Sequence, residues 1–181
     1  MKISTLLPAL LLLGTTACHR PQAGYYNRPL YSSADIEGAS ATTNYAGNGP
    51  EARRRKLIFK TPDEQRIVLD PGQVWGYETR SGHRYRYVDG KYYRLEERAP
   101  IAIYSRTYPV MAGTIPYPQT DYFFSRTPSS LLLPLQKRSL RVAFADDPAF
   151  VQFMNTRRLR IFNRNTKRFF LNEWYEEWTR R

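Results

Sequence analysis

Between residues 56 and 125 the chain alternates short apolar runs with clusters of Pro, Gly, Asp and Ser. Lys56-Leu57-Ile58-Phe59-Lys60 reads as a strand, Thr61 to Gln65 as a turn containing Pro62, and Arg66 to Asp70 as the returning strand. Pro71-Gly72 breaks the chain, and Val74-Trp75-Gly76-Tyr77-Glu78 resumes in β composition. Ser81-Gly82 makes the next turn, and the runs 85–88 and 91–95 flank Asp89-Gly90, a strong hairpin signal. Ile101 to Tyr104 is a further run, and Tyr122-Phe123-Phe124-Ser125 another, across a Pro-rich loop expected from Pro109 to Thr120. Short strands joined by tight turns point to an antiparallel meander, because parallel pairs need long crossovers.

Beyond Ser125 the period changes to that of helices. Leu131-Leu132-Leu133-Pro134-Leu135 is an apolar connector, and Ser139 is a candidate cap for a helix carrying Leu140, Ala143 and Phe144. Asp147-Pro148 has the form of an N-cap followed by N1 proline, with Phe150, Val151 and Met154 at helical spacing behind it. In the last segment Phe170, Trp174 and Trp178 recur every four residues, with Leu171 and Tyr175 alongside. Such a stripe either packs into the core or meets a partner protein. Glu176 to Arg180 and Glu177 to Arg181 are favourable i,i+4 pairs. The expected fold class is α+β: an antiparallel meander or partly closed small barrel of five to seven strands, packed with two or three C-terminal helices.

A two-residue loop at Asp89-Gly90 sets Val88 opposite Lys91, Tyr87 opposite Tyr92, Arg86 opposite Tyr93 and Tyr85 opposite Arg94. One face then carries Tyr85, Tyr87, Tyr92 and Arg94, the other Arg86, Val88, Tyr93 and Leu95. Two readings stand side by side: tyrosine rings that cover the sheet, or an aromatic and guanidinium surface suited to sugars or phosphates.

The N-terminus adds a destination. Lys2, an apolar stretch through residue 13, and Gly14-Thr15-Thr16-Ala17 lead up to Cys18, the single cysteine of the chain. The apolar stretch is too short to span a bilayer. This layout resembles a lipobox, with Thr15 standing where an aliphatic residue is usual. It implies a signal peptide over residues 1–17, lipidation of Cys18, and a membrane anchor made effectively permanent by two or three acyl chains. Residues 18–52 read as the lipidated cysteine and a disordered tether, which as a flexible coil spans on the order of 30 Å. His19 replaces the Asp that often follows the cysteine of inner-membrane lipoproteins, which points to an outer membrane, facing the periplasm. Residues 53–181 read as one basic domain.

Several of these segments together carry a resemblance: Val74-Trp75-Gly76-Tyr77, Tyr85-Arg86-Tyr87, Gly90-Lys91-Tyr92-Tyr93, Ile103-Tyr104-Ser105, Tyr122-Phe123-Phe124-Ser125 and Phe144-Ala145-Asp146-Asp147-Pro148-Ala149-Phe150. Over roughly residues 56–155 the chain resembles a group of uncharacterised bacterial exported proteins with no assigned activity. The resemblance implies no catalytic residues.

Charge narrows the partners. The formal net charge is +12, and twenty of the 25 cations from residue 53 onward are arginine. From Pro148 to Asn172 there is no acid, while Arg157, Arg158, Arg160, Arg164, Lys167 and Arg168 are all present. Arginine suits planar, bidentate partners such as carboxylates and phosphates. The candidate ligands are anionic lipid or glycan of the envelope, with an envelope protein as the alternative partner; export puts nucleic acid out of reach. With two histidines in the chain, a cysteine reserved for lipid and no phosphate-binding glycine motif, catalysis, metal and cofactor are not expected. Glu96 with Glu97, Asp146 with Asp147, and Glu173 with Glu176 and Glu177 are the carboxylate groupings, none spaced as a clear acid–base couple.

Overall fold

The computed structural model describes residues 28–32, 46–53, 56–60, 65–79 and 81–181. The signal stretch, Cys18 and the turn at 61–64 lie outside them. Along the chain come β1 (Arg28–Leu30), β2 (Ala46–Arg53), β3 (Lys56–Lys60), β4 (Arg66–Leu69), a 3-10 turn at Pro71–Gln73, β5 (Gly76–Glu78), β6 (Arg84–Val88) and β7 (Lys91–Glu97). There follow β8 (Ala102–Ala112), β9 (Ile115–Ser125), β10 (Leu133–Pro134), α1 (Lys137–Ala143) and α2 (Pro148–Asn155). The chain closes with β11 (Phe162–Asn163), β12 (Arg168–Phe169) and α3 (Phe170–Thr179). The main sheet is antiparallel, in the order β1-β5-β6-β7-β8-β9-β10, and curls into a partly closed barrel accompanied by three helices. The fold is α+β, as the patterning indicates. None of the described helices is long and apolar enough to cross a membrane.

The turn at Asp89-Gly90 has φ of 49° and 76°, the left-handed pair that a type I′ hairpin requires. Its register is the one the sequence implies, from Val88↔Lys91 out to Tyr85↔Arg94. The segment from Pro109 to Thr120 differs from expectation. It is no loop: β8 and β9 pair without interruption from Ala102↔Ser125 to Ala112↔Ile115, around a turn with Gly113 at φ 63°. Pro109 faces Pro118 and Met111 faces Pro116. Hydrogen-bonded and open pairs alternate outward from a two-residue turn, so these prolines all fall at open pairs, where the missing N–H would have pointed away from the partner strand. Proline is tolerated there, and it disguised the strands as loop.

Two cores cover one face of the curled sheet. At the helical end, Ile103 and Phe124 of the sheet pack with Leu140, Phe144, Phe150, Leu171 and Trp174. Each such fully buried side chain contributes about 1.5–3 kcal/mol. Asp147 caps α2, its carboxylate accepting from the Phe150 N–H at 2.9 Å, while Pro148 opens the helix. Ser139, expected as a cap, lies inside α1 and is buried; Gln136 takes the cap position and makes no side-chain cap hydrogen bond. The Phe170, Trp174 and Trp178 stripe belongs to this core: Trp174 is buried, Trp178 packs on Phe150 and Phe153, and its indole N–H donates to Asp147. A docking helix is thereby not left free.

The other end is covered by a second, three-stranded sheet in the order β2-β3-β4, not a continuation of the meander. Its Leu57 and Phe59 pack with Val74 and Tyr77, against Tyr85, Tyr87 and Tyr92. The expected tether is also corrected in part. β1 pairs with β5, Leu30 is fully buried and its carbonyl accepts from the Trp75 N–H, and β2 pairs with β3. These strands carry little periodicity of their own and are held by partners from the domain. On the opposite face of the main sheet, Tyr93, Ala102 and Tyr104 form a third cluster with Trp75 and Phe123. Arg86 is buried there, between the rings of Trp75 and Tyr104, donating to the Ser130 carbonyl at 2.8 Å.

Candidate anion-binding site

Between the first two cores the sheet face stays open as a groove of about 710 Å³, whose lining includes Tyr85, Tyr92, Arg94, Glu96, Ser105 and Tyr122. Strand register puts most of them in one row: Tyr85, Arg94, Ser105 and Tyr122 are successive partners across β6, β7, β8 and β9. Between Leu95 and Glu97 the β7–β8 register shifts. The irregularity lets adjacent glutamates serve different purposes. Glu96 turns into the groove and accepts from the Ser105 hydroxyl, whereas Glu97 reaches the C-terminal hairpin.

Arg94, which lines the groove together with Arg106, sits within this row. Its Nε lies 3.6 Å from Glu96, too far for a hydrogen bond, and is buried without an acceptor. Its terminal nitrogen comes only to 3.5 Å of His83 Nδ1. A buried guanidinium N–H lacking an acceptor costs free energy, which the nearby Glu96 carboxylate offsets in part through its charge.

The tyrosines are half-buried and not an open platform. Tyr77 stacks on Tyr85 at 4.8 Å and meets Tyr92 edge-on at 5.2 Å, and Tyr87 touches Tyr92 at 5.0 Å. Burial, then the neighbouring phenols, push Tyr77 and Tyr92 well above the usual tyrosine range. They stay neutral, and only part of Tyr85 and Tyr92 faces the groove. All three rings of this face, Tyr85, Tyr87 and Tyr92, pack against the second core, and Tyr85, Tyr92 and Arg94 also line the groove.

The six cations at 157–168 divide into two groups. Arg168 is a clamp: Nη2 donates to Glu97 at 2.9 Å and to Glu176 at 2.7 Å, tying β12 to both β7 and α3. The Arg168 hydrogen bond, then its charge, hold Glu176 below the ordinary carboxylate range. Arg157 pairs with Glu177 at 2.8 Å and lies 4.1 Å over the Phe153 ring. Both guanidiniums are thus engaged within the fold. Glu173 is engaged by Asn163 and Thr166. The local acids are thereby occupied, and Arg158, Arg160, Arg164 and Lys167 remain exposed, with no ion pair to any described residue. Arg164 and Lys167 occupy the β11–β12 turn, where Lys167 takes φ 56°. This hairpin adjoins the groove, since Phe169 of β12 contacts the groove tyrosine Tyr122 at 5.6 Å.

Nothing in the local pattern marks Arg168 as a clamp, because its acceptor Glu97 lies 71 residues away. The groove was equally hidden, since it needs four strands in register. Asp146 does not form a couple with Asp147; it takes the Arg126 guanidinium in both carboxylate oxygens, at 2.6 and 2.8 Å. No group of three or more potential metal ligands gathers among the described residues. Set against protein-family models, curated proteins and solved structures, the chain matches none.

Proposed function

We propose that this protein is a non-catalytic lipoprotein of the bacterial envelope, anchored through Cys18, whose domain holds an anionic envelope component such as a lipid phosphate or acidic glycan. The observation that carries the reading is the set Arg158, Arg160, Arg164 and Lys167, which has no ion pair among the described residues and is exposed on and beside a hairpin that adjoins a tyrosine- and hydroxyl-lined groove. Cations near an anionic surface contribute about 1 kcal/mol each, and the Debye length falls from about 10 Å at 0.1 M salt to about 3 Å at 1 M.

The full chain bearing Cys18→Ser, made without its lipid, should bind isolated outer-membrane fractions clearly more tightly at 0.1 M salt than at 1 M. Replacing Arg158, Arg160, Arg164 and Lys167 by Ser should lower affinity by up to about a thousandfold. Arg157 and Arg168 stay in place, because they are engaged in the fold. Binding indifferent to both salt and the four substitutions would remove the anionic reading.

The anchor has its own test. Cys18→Ala should turn permanent anchoring into reversible binding, so that the protein is washed into the soluble fraction on repeated dilution while the wild type stays on the membrane, and the mature wild-type N-terminus should show acyl mass on Cys18. An unmodified N-terminus downstream of Cys18 would refute lipidation.

A further inference from the structure

β7 stops pairing with β8 at Ser105, and β10 meets β9 only at Phe123 and Phe124. Beyond these points β8 and β9 pair only with each other, so residues 106–121 form a two-stranded ribbon standing out from the sheet. In a chain of net charge +12, residues 107–120 contain no Asp, Glu, Lys, Arg or His. At the tip Met111 is 61 %, Ile115 71 % and Tyr117 45 % exposed. Pairing parity places Met111 with Pro109, Pro116 and Pro118 on one face, and Val110, Ala112, Ile115 and Tyr117 on the other. Both faces are apolar.

We propose that this ribbon tip inserts shallowly into a lipid bilayer at the boundary of headgroups and acyl chains. A flat protein surface would cover one face of the ribbon and leave the other in water, whereas lipid surrounds both. The backbone agrees. Residues 109, 111, 116 and 118 turn their main-chain groups outward, and three of the four are proline, with no N–H to desolvate. Open edges are what normally bar strands from lipid, and here most outward donors are missing. The same prolines block addition of another strand, from a second copy or a peptide. The outward carbonyls remain, which keeps the tip at the interface. Four residues per strand reach about 13 Å, enough for the 5–10 Å depth of interfacial segments. Tyr117 suits that depth, its ring apolar and its hydroxyl wet.

The base of the ribbon is polar and fixed. Thr107 and Thr120 hydroxyls lie 2.8 Å apart across the strands, the Tyr108 hydroxyl donates to Asp121 at 2.6 Å, and the Arg106 guanidinium sits 5.1 Å from the Tyr108 ring. Arg106 at this level matches the plane of lipid phosphates.

The inference deepens the envelope reading and rests on it only in that acylated Cys18 would deliver the ribbon to a bilayer. Its test therefore removes the anchor and screens the cations. The full chain with Cys18→Ser and Ile115→Cys, labelled at residue 115 with an environment-sensitive fluorophore, is mixed with phosphatidylcholine vesicles in 1 M salt. The emission should shift to the blue and be quenched by nitroxide-labelled lipid. Met111→Asp with Ile115→Asp, in the Cys18→Ser chain, should lower vesicle partitioning by about tenfold or more, with an unchanged melting temperature. Emission that stays water-like with vesicles overturns the proposal. So does a shift that needs no lipid and grows with protein concentration, which would mean a second copy, or one that requires an envelope protein extract. Loss of anionic binding with the lipid shift intact would sink the cation reading and spare this one.

Discussion

Gly76→Ala is expected to destabilise the domain by about 4 kcal/mol or more, enough to place it in the rare class of severe single substitutions. A Cβ at Gly76 would lie 1.8 Å from the Tyr85 carbonyl oxygen, 2.8 Å from its carbon and 3.0 Å from the Arg86 Cα. All three are backbone atoms of β6, so no side chain can rotate away. β5 would have to part from β6, against the pairs Gly76↔Arg86 and Tyr77↔Tyr85. The damage would spread in two directions. β1 reaches the sheet only through β5, so Leu30 loses its seat, and Val74 and Tyr77 leave the core beneath the three-stranded sheet. Urea unfolding of the variant should show a midpoint far below the wild type, or no folded baseline. A wild-type midpoint would mean that the strands separate readily, contrary to the close approach seen here.

Asn172→Leu should cost about 2–6 kcal/mol through orphaned backbone groups, with little from lost volume. Asn172 lies in α3, fully buried, and substitutes for a neighbouring strand. Its Nδ2 donates to the Ile101 carbonyl at 3.0 Å, and its Oδ1 accepts from the Ile101 N–H at 2.9 Å. Ile101 precedes β8 and is itself buried, so water cannot replace the amide. Leucine keeps the branched four-atom outline of asparagine, with bulkier methyl ends, but provides neither bond. Both buried main-chain groups would then go unsatisfied, at about 1–3 kcal/mol each. Chemical denaturation measures the loss, and amide exchange at Ile101 should accelerate in parallel. Exchange unchanged from wild type would show that the Ile101 amide is held by something other than Asn172.

The features legible in the amino-acid sequence are those whose causes lie a few residues apart. The Asp89-Gly90 hairpin is one: its two left-handed residues and the two-residue loop settle the whole register from Tyr85 to Arg94. The start of α2 at Asp147-Pro148 is another, as are the terminal pairs Glu176–Arg180 and Glu177–Arg181, at 3.4 and 2.9 Å. The α+β class follows from the change of period after Ser125. By contrast, the ribbon was hidden because proline argues for a loop until the pairing parity shows that each one faces an open edge. β1 and β2 were hidden because they gain order from strands far along the chain. The candidate site divides in the same way. A run of arginines is visible in the sequence, but whether a given arginine is clamp or free ligand depends on where Glu97, Glu176 and Glu177 arrive. Local chemistry determined the Asp89-Gly90 turn with its strand phases and the Asp147 cap. Only the tertiary structure decided which charges are consumed and which surfaces remain, because ion pairing and burial depend on neighbours that the chain brings together from tens of residues away.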